Sequence, residues 1–172
     1  MAIKSGYVVP ALDLPLVGGG RFVLGNPRPE FFTVLVFYRG LHCQRCPGQL
    51  QSYQALLADF RNCGAEVVAI TSDDEARATK AAADWGITKL PIAYGFSLEA
   101  AQVWGIHITS ASKPDEPALF TEPATFVVKK DGRLDIGVVN SGPRLRPAAE
   151  EVLAHVGDRL AAAAEGAKKS PA

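Results

Sequence analysis

The junction near residue 40 constrains this chain more than any other feature. A strongly β-prone run, Phe31 to Tyr38, reads as a buried central strand and ends in a short loop, Arg39 to His42. The pattern then turns helical: Leu50, Tyr53, Leu56, Leu57 and Phe60 recur at helical spacing, and Gly64 marks the stop. On the junction itself stands Cys43-Gln44-Arg45-Cys46. Pro47 follows at a first-turn position, where its missing N–H does no harm. Strand, short loop, cysteine pair and helix must therefore be neighbours in space.

The flanking segments extend this unit. Apolar residues alternate around Gly18-Gly19-Gly20 between Val8 and Leu24, which predicts an early β-hairpin. Those glycines lack the strand-to-helix junction and spacing of a phosphate loop. A second strand is expected over Glu66 to Thr71. Ser72-Asp73-Asp74-Glu75 has capping-box spacing and opens a helix through Trp85, ended by Gly86. A short apolar segment, Leu90 to Tyr94, precedes a helix from Ser97 to Trp104 closed by Gly105, and Thr109 to Thr121 reads as loop. Strands over Thr125 to Val128 and Arg133 to Val139 flank the turn Asp131-Gly132 as a hairpin. A final helix follows Pro147, with Val152, Leu153, Val156 and Leu160 facing inward. Strands alternating with helices and a closing hairpin imply an α/β fold with a central mixed β-sheet flanked by helices. The expected organisation is one domain over residues 1–164 and a disordered tail over 165–172.

Composition narrows the function. At 172 residues the chain suits one core. Eighteen basic residues balance eighteen acidic ones, so no global field draws it to nucleic acid or an anionic membrane. Its apolar runs fall far short of the roughly 20 residues that span a bilayer. Met1 to Tyr7 lacks the apolar core of a secretory signal, so a cytoplasmic protein is expected. Three cysteines, two of them three apart, do not make the stapled framework of a small secreted domain. A close pair in a reducing compartment means redox chemistry or metal.

A helix N-terminus carries partial positive charge and free N–H groups, both of which stabilise a thiolate. A CxxC pair so placed has a lowered cysteine pKa, and cations at Arg45 and Arg39 add to the effect. The spacing also lets the pair cycle between dithiol and disulfide within one chain. A closed zinc site needs four ligands. The candidates here, the pair with Cys63, His42, His107 and His155, are scattered, and no metal or other cofactor is expected. Cys63 stands 17 positions after Cys46, about 25 Å along a helix, too far for a disulfide. It reads as a buried small residue. His42 is a possible proton shuttle or charge beside the thiolate, while His107 and His155 read as structural or surface residues. Asp73 and Asp74 read as helix-start residues favoured by the dipole, and Trp85 and Trp104 as core.

The stretch Val36 to Pro47 resembles the active-site loop of peroxiredoxins, specifically peroxiredoxin-like proteins of the alkyl hydroperoxide reductase/thiol-specific antioxidant group with a CxxC site. The resemblance runs from about Pro10 to Leu153. It takes in Ala65 to Ile70 leading to Ser72-Asp73, and Thr125 to Val128 before Asp131-Gly132. It implies a thioredoxin-like fold and reduction of peroxides through a Cys43/Cys46 cycle. It also implies a reducing partner such as thioredoxin or glutathione, and a possible homodimer. In the family motif Pro-x-x-x-Thr/Ser-x-x-Cys, the peroxidatic cysteine falls on Cys46, the Thr/Ser on Cys43 and the Pro on Arg39. The family's second active-site residue, an arginine, falls on Pro123. That departure brings the site closer to thioredoxins, in which a cis-proline at this place faces the CxxC pair. The expected site is Cys43, Cys46 and Arg39 as catalytic residues, with Arg39 supplying the missing cation, and Pro123, His42 and Thr125 against the substrate. Two analogies compete over the attacking cysteine: Cys46 for a peroxide, Cys43 for disulfide exchange. A thiol-disulfide oxidoreductase and a non-enzymatic redox-sensing module are the alternatives.

Overall fold

The computed structural model describes residues 3–169, the side chains of 166–169 excepted. Its centre is a five-stranded sheet ordered β5-β4-β3-β8-β9. The central strand β3, Phe32–Tyr38, is buried along its whole length. It pairs in parallel with β4, Ala65–Thr71, from Phe32–Ala65 to Tyr38–Thr71. On its other side it pairs antiparallel with β8, Ala124–Lys129, with Phe37 opposite Ala124. The outer strands are β5, Ile92–Ala93, and β9, Leu134–Val139, which closes a hairpin with β8. The mixed sheet expected from the alternating pattern is therefore present, with the parallel half built from crossovers and the antiparallel half from a hairpin.

Side-chain alternation along β3 splits the core in two. Val34, Val36 and Tyr38 face the helices α1 (Cys46–Ala55), α2 (Leu57–Asn62), α3 (Glu75–Asp84) and α5 (Ala149–Lys169) through Leu50, Phe60, Ala78 and Val156. Leu35 and Phe37 face the opposite layer, made by α4 (Leu98–Trp104) and the N-terminal hairpin of β1 (Asp13–Pro15) and β2 (Arg21–Val23). There Phe37, Phe96, Trp104 and Phe126 form one aromatic cluster with ring centroids 4.9–5.8 Å apart. A strand apolar on both faces, as β3 is, requires this double cover.

Several details depart from the sequence expectations. The helix after the cysteine pair is broken at Leu56, whose N–H is shared between the carbonyls of Ser52 and Tyr53. Ser52 Oγ donates back to the Gln49 carbonyl at 2.8 Å, a contact that bends helices. The cap of α3 is Asp74, which accepts from the Arg77 N–H at 2.9 Å. Ser72, the expected capping-box residue, instead meets Thr121. The segment read as loop between Thr109 and Thr121 holds a small antiparallel pair, β6 (Ile108–Ser110) and β7 (Leu119–Thr121). The expected tail from residue 165 is helical as far as Lys169, and 170–172 lie outside the described residues. Among the described residues no helix is long and apolar enough to cross a membrane.

Candidate active site

The strand β3 delivers the chain to the site, and a tight loop turns it into α1. Gly40 makes that turn at φ +123°, a conformation that L side chains avoid. The Cys43 N–H donates to the Gly40 carbonyl at 3.0 Å, and the Cys46 N–H to the Cys43 carbonyl at 3.3 Å. Asp73 pins this loop from the end of β4. Its Oδ2 accepts from the Leu41 N–H at 2.7 Å, and its Oδ1 from Arg77 Nε at 3.0 Å. Asp73 is thus a buried anchor of the cysteine loop, and only Asp74 is a helix-start residue.

Cys43 and Cys46 are joined as a disulfide, with Cα atoms 5.5 Å apart. Cys46 is the first residue of α1. Both are buried, at 3% and 0% exposure, so Cys43, the candidate for disulfide exchange, is scarcely more open than Cys46. Cys63 is unpaired and partly buried beside the helix-side core.

The cation at the sulfurs is Arg146, which the sequence reading did not single out. Its Nη1 lies 3.3 Å from Cys46 Sγ and its Nη2 3.3 Å from Cys43 Sγ. Nη1 also donates to Gln49 Oε1 at 2.6 Å, and Nε to the Pro143 carbonyl at 3.1 Å. All of these partners are neutral. Burial, with Arg39 next, lowers the guanidinium pKa to about 10 despite Glu122, which leaves it protonated at neutral pH. A buried cation without a carboxylate gains most when a thiolate forms beside it. One signal for Arg146 does exist in the sequence: an arginine next to Pro147, just ahead of a helix, sits where the macrodipole disfavours a cation.

Arg39 is turned elsewhere. Its Nε stands 3.1 Å from Glu122 Oε2, its Nη2 3.9 Å from Glu116 Oε1, and its guanidinium lies 4.5 Å over the Phe120 ring. Its charge is therefore compensated by carboxylates of the β6–β7 hairpin and the segment after it. The His42 ring lies against the same Phe120, centroids 4.5 Å apart. Burial, then Arg39, hold the imidazole below its usual pKa, so the ring is neutral near pH 7 and both ring nitrogens are buried without a partner. Pro123 is buried at the cysteine end of the sheet, since Ala124 pairs with Phe37. Among the described residues the cis peptide bond is Asn26–Pro27, and the Glu122–Pro123 bond is trans, so the cis-proline of the thioredoxin analogy is not present. Thr125, 4% exposed, shares the helix-side face of β8 with Val127 and lines a shallow groove with Pro147, Val152 and His155. Among the described residues no cluster of three or more histidine, cysteine or carboxylate groups is placed to hold a metal ion.

A five-stranded mixed sheet with a cysteine pair at the β3–α1 junction defines a thioredoxin-like redox protein. A family model described as the AhpC/TSA family matches residues 6–136, and the chain belongs to that family of thiol peroxidase oxidoreductases. Solved structures agree on the fold. AhpC of Enterococcus faecalis superposes with a TM-score of 0.78 at 19% identity, covering 99% of this chain and 100% of that one. AhpC of Mycobacterium tuberculosis gives 0.75 at 18% identity, covering 94% of each chain. The peroxidoxin BcpB of the same organism gives 0.71 at 19% identity, covering 93% and 97%. No curated protein matches by sequence.

Proposed function

We propose that this chain reduces peroxides with Cys46 as the attacking thiolate, Cys43 as the resolving thiol and Arg146 as the cation that stabilises the thiolate. The observation that carries this reading is the single guanidinium spanning both sulfurs at 3.3 Å. Position at the head of α1 favours Cys46 as the thiolate, because the helix dipole acts most strongly there. Burial of both sulfurs favours a small peroxide over a bulky protein disulfide as oxidant. The Cys46 thiolate attacks one peroxide oxygen and the O–O bond breaks. The departing oxygen takes a proton as water or alcohol, and Cys46 becomes a sulfenic acid. The Cys43 thiol then attacks that sulfur, water leaves, and the disulfide forms. Two electrons from an external dithiol of the thioredoxin type, or from glutathione, restore the pair.

Around these sulfurs, His42 and Pro123 fill the wall of the site, and Arg39, paired with Glu122, shapes it rather than touching sulfur. Thr125 lines the groove beside it. A reducing compartment such as the cytoplasm suits the cycle. A homodimer suits the edge strand β9, where Ile136 and Val138 are 42% and 38% exposed.

Stopped-flow mixing of the reduced protein with hydrogen peroxide tests the assignment. Cys46→Ser should abolish the fast oxidation, while Cys43→Ser should keep one rapid turnover and accumulate a sulfenic acid that a dione reagent traps. Fast oxidation in Cys46→Ser, or a trapped sulfenic acid on Cys43, reverses the roles.

A further inference from the structure

Arg146 is carried by a strap between β9 and α5, and Asn140 ties that strap both to itself and to the sheet. Asn140 donates from Nδ2 to the carbonyls of Arg144, at 2.9 Å, and Leu145, at 2.8 Å. Its own N–H donates to the Pro123 carbonyl at 2.9 Å, which fixes the strap to the start of β8. Held this way, Leu145 has φ +57°, while its side chain is 94% exposed. A left-handed leucine is strained, and an exposed side chain recovers none of that strain by burial. The conformation therefore serves the backbone, not Leu145. It turns the chain so that Leu145 points to water and the next residue, Arg146, points to the sulfurs. Pro147 then confines Arg146 to extended backbone.

We propose that Asn140 is a positioning residue for the redox site: by holding the Arg144 and Leu145 carbonyls it keeps the strap in the left-handed turn that aims Arg146 at Cys43 and Cys46. The proposal rests on the reading of Arg146 as the cation of the thiolate. Side-chain chemistry supports an amide here. Two carbonyl acceptors need two donors, which an NH₂ group supplies and a carboxylate does not. The Asn140 Oδ1 is buried without a partner, so the side chain is used through its donor end alone.

The test titrates the thiolate absorbance of the reduced protein and follows its oxidation by hydrogen peroxide, with thermal midpoints measured alongside. Arg146→Met should raise the thiol pKa and slow oxidation about tenfold or more, the size of one lost charge-assisted contact. Asn140→Ala should move both in the same direction, by about threefold to tenfold in rate. Adding Leu145→Gly to Asn140→Ala should recover much of the loss, because glycine adopts the turn unaided. Should Asn140→Ala not fold, Leu145→Val at the exposed site keeps Asn140 and opposes the turn, and it should raise the thiol pKa alike. If the strap variants, Asn140→Ala or Leu145→Val, lower the thermal midpoint but leave thiol pKa and rate unchanged while Arg146→Met alters them, the positioning role is overturned. If Arg146→Met alters neither, the underlying reading of Arg146 fails instead.

Discussion

Two arginines near the same disulfide do different work because their partners differ in charge. Arg39 meets Glu122 and Glu116, whereas Arg146 meets only carbonyl, amide and sulfur. An ion-paired guanidinium has little field left for a thiolate, while an uncompensated one keeps nearly all of it. Gly40 is the other residue on which the site turns. A Cβ there would stand 2.6–2.8 Å from the Asp73 carboxylate, at a φ that already disfavours a side chain. Gly40→Ala should destabilise the protein by about 2–4 kcal/mol and slow peroxide reduction, since the cysteine loop hangs from Asp73. Urea denaturation beside a peroxidase assay reads both, and a stable, fully active Gly40→Ala would show that the loop does not need this close approach.

At the scale of elements, the β6–β7 hairpin is what the site adds to the plain sheet. Its Phe120, fully buried, fills the space between the His42 ring and the Arg39 guanidinium. Glu116 shapes the hairpin's loop by accepting from the N–H groups of Ser112 and Lys113. Phe120→Ala should cost about 3–5 kcal/mol and leave Arg39 and His42 without a common wall. Faster labelling of reduced Cys43 and Cys46 by a thiol reagent under native conditions would register that loosening. Unchanged stability and labelling would mean that the hairpin lies over the site without supporting it.

For the molecule as a whole, α5 is tied to the sheet by one carboxylate. Asp135 of β9 lies 2.8 Å from His155 Nε2, 3.0 Å from Arg159 Nη2 and 3.3 Å from Lys129 Nζ. Burial works to raise the Asp135 carboxyl, but hydrogen bonds from His155 and Lys129 and the charge of Arg159 outweigh it and hold the pKa below its ordinary value. A carboxyl with a depressed folded pKa stabilises the protein above its unfolded pKa of about 3.9, and that contribution fades as pH falls through the folded value. Asp135→Asn should therefore lower neutral-pH stability by about 1–2 kcal/mol, with the gap to wild type closing in acid below the folded pKa. Denaturation curves across that pH range check the sign, and a gap that persists undiminished in acid would remove the charge from the explanation.

Local periodicity made most of the frame legible. The run Phe31 to Tyr38, the helical spacing after Cys46 and the Asp131-Gly132 turn all correspond to observed elements, because strand alternation, helix period and turn chemistry act over a few neighbouring residues. The β6–β7 pair is not legible in the sequence, since strands of three residues in a polar segment carry no period to read. Arg39 was expected to supply the cation because it is four residues from Cys43 in sequence, and the structure turns it toward Glu122. Arg146, 100 residues after Cys46, takes that place. The sequence by itself determined where the cysteines stand, at a strand-to-helix junction, and with it the class of chemistry. Only the tertiary structure decided which charge faces them, because that depends on which distant carboxylates are already paired and on a strap that one asparagine folds back over the sulfurs.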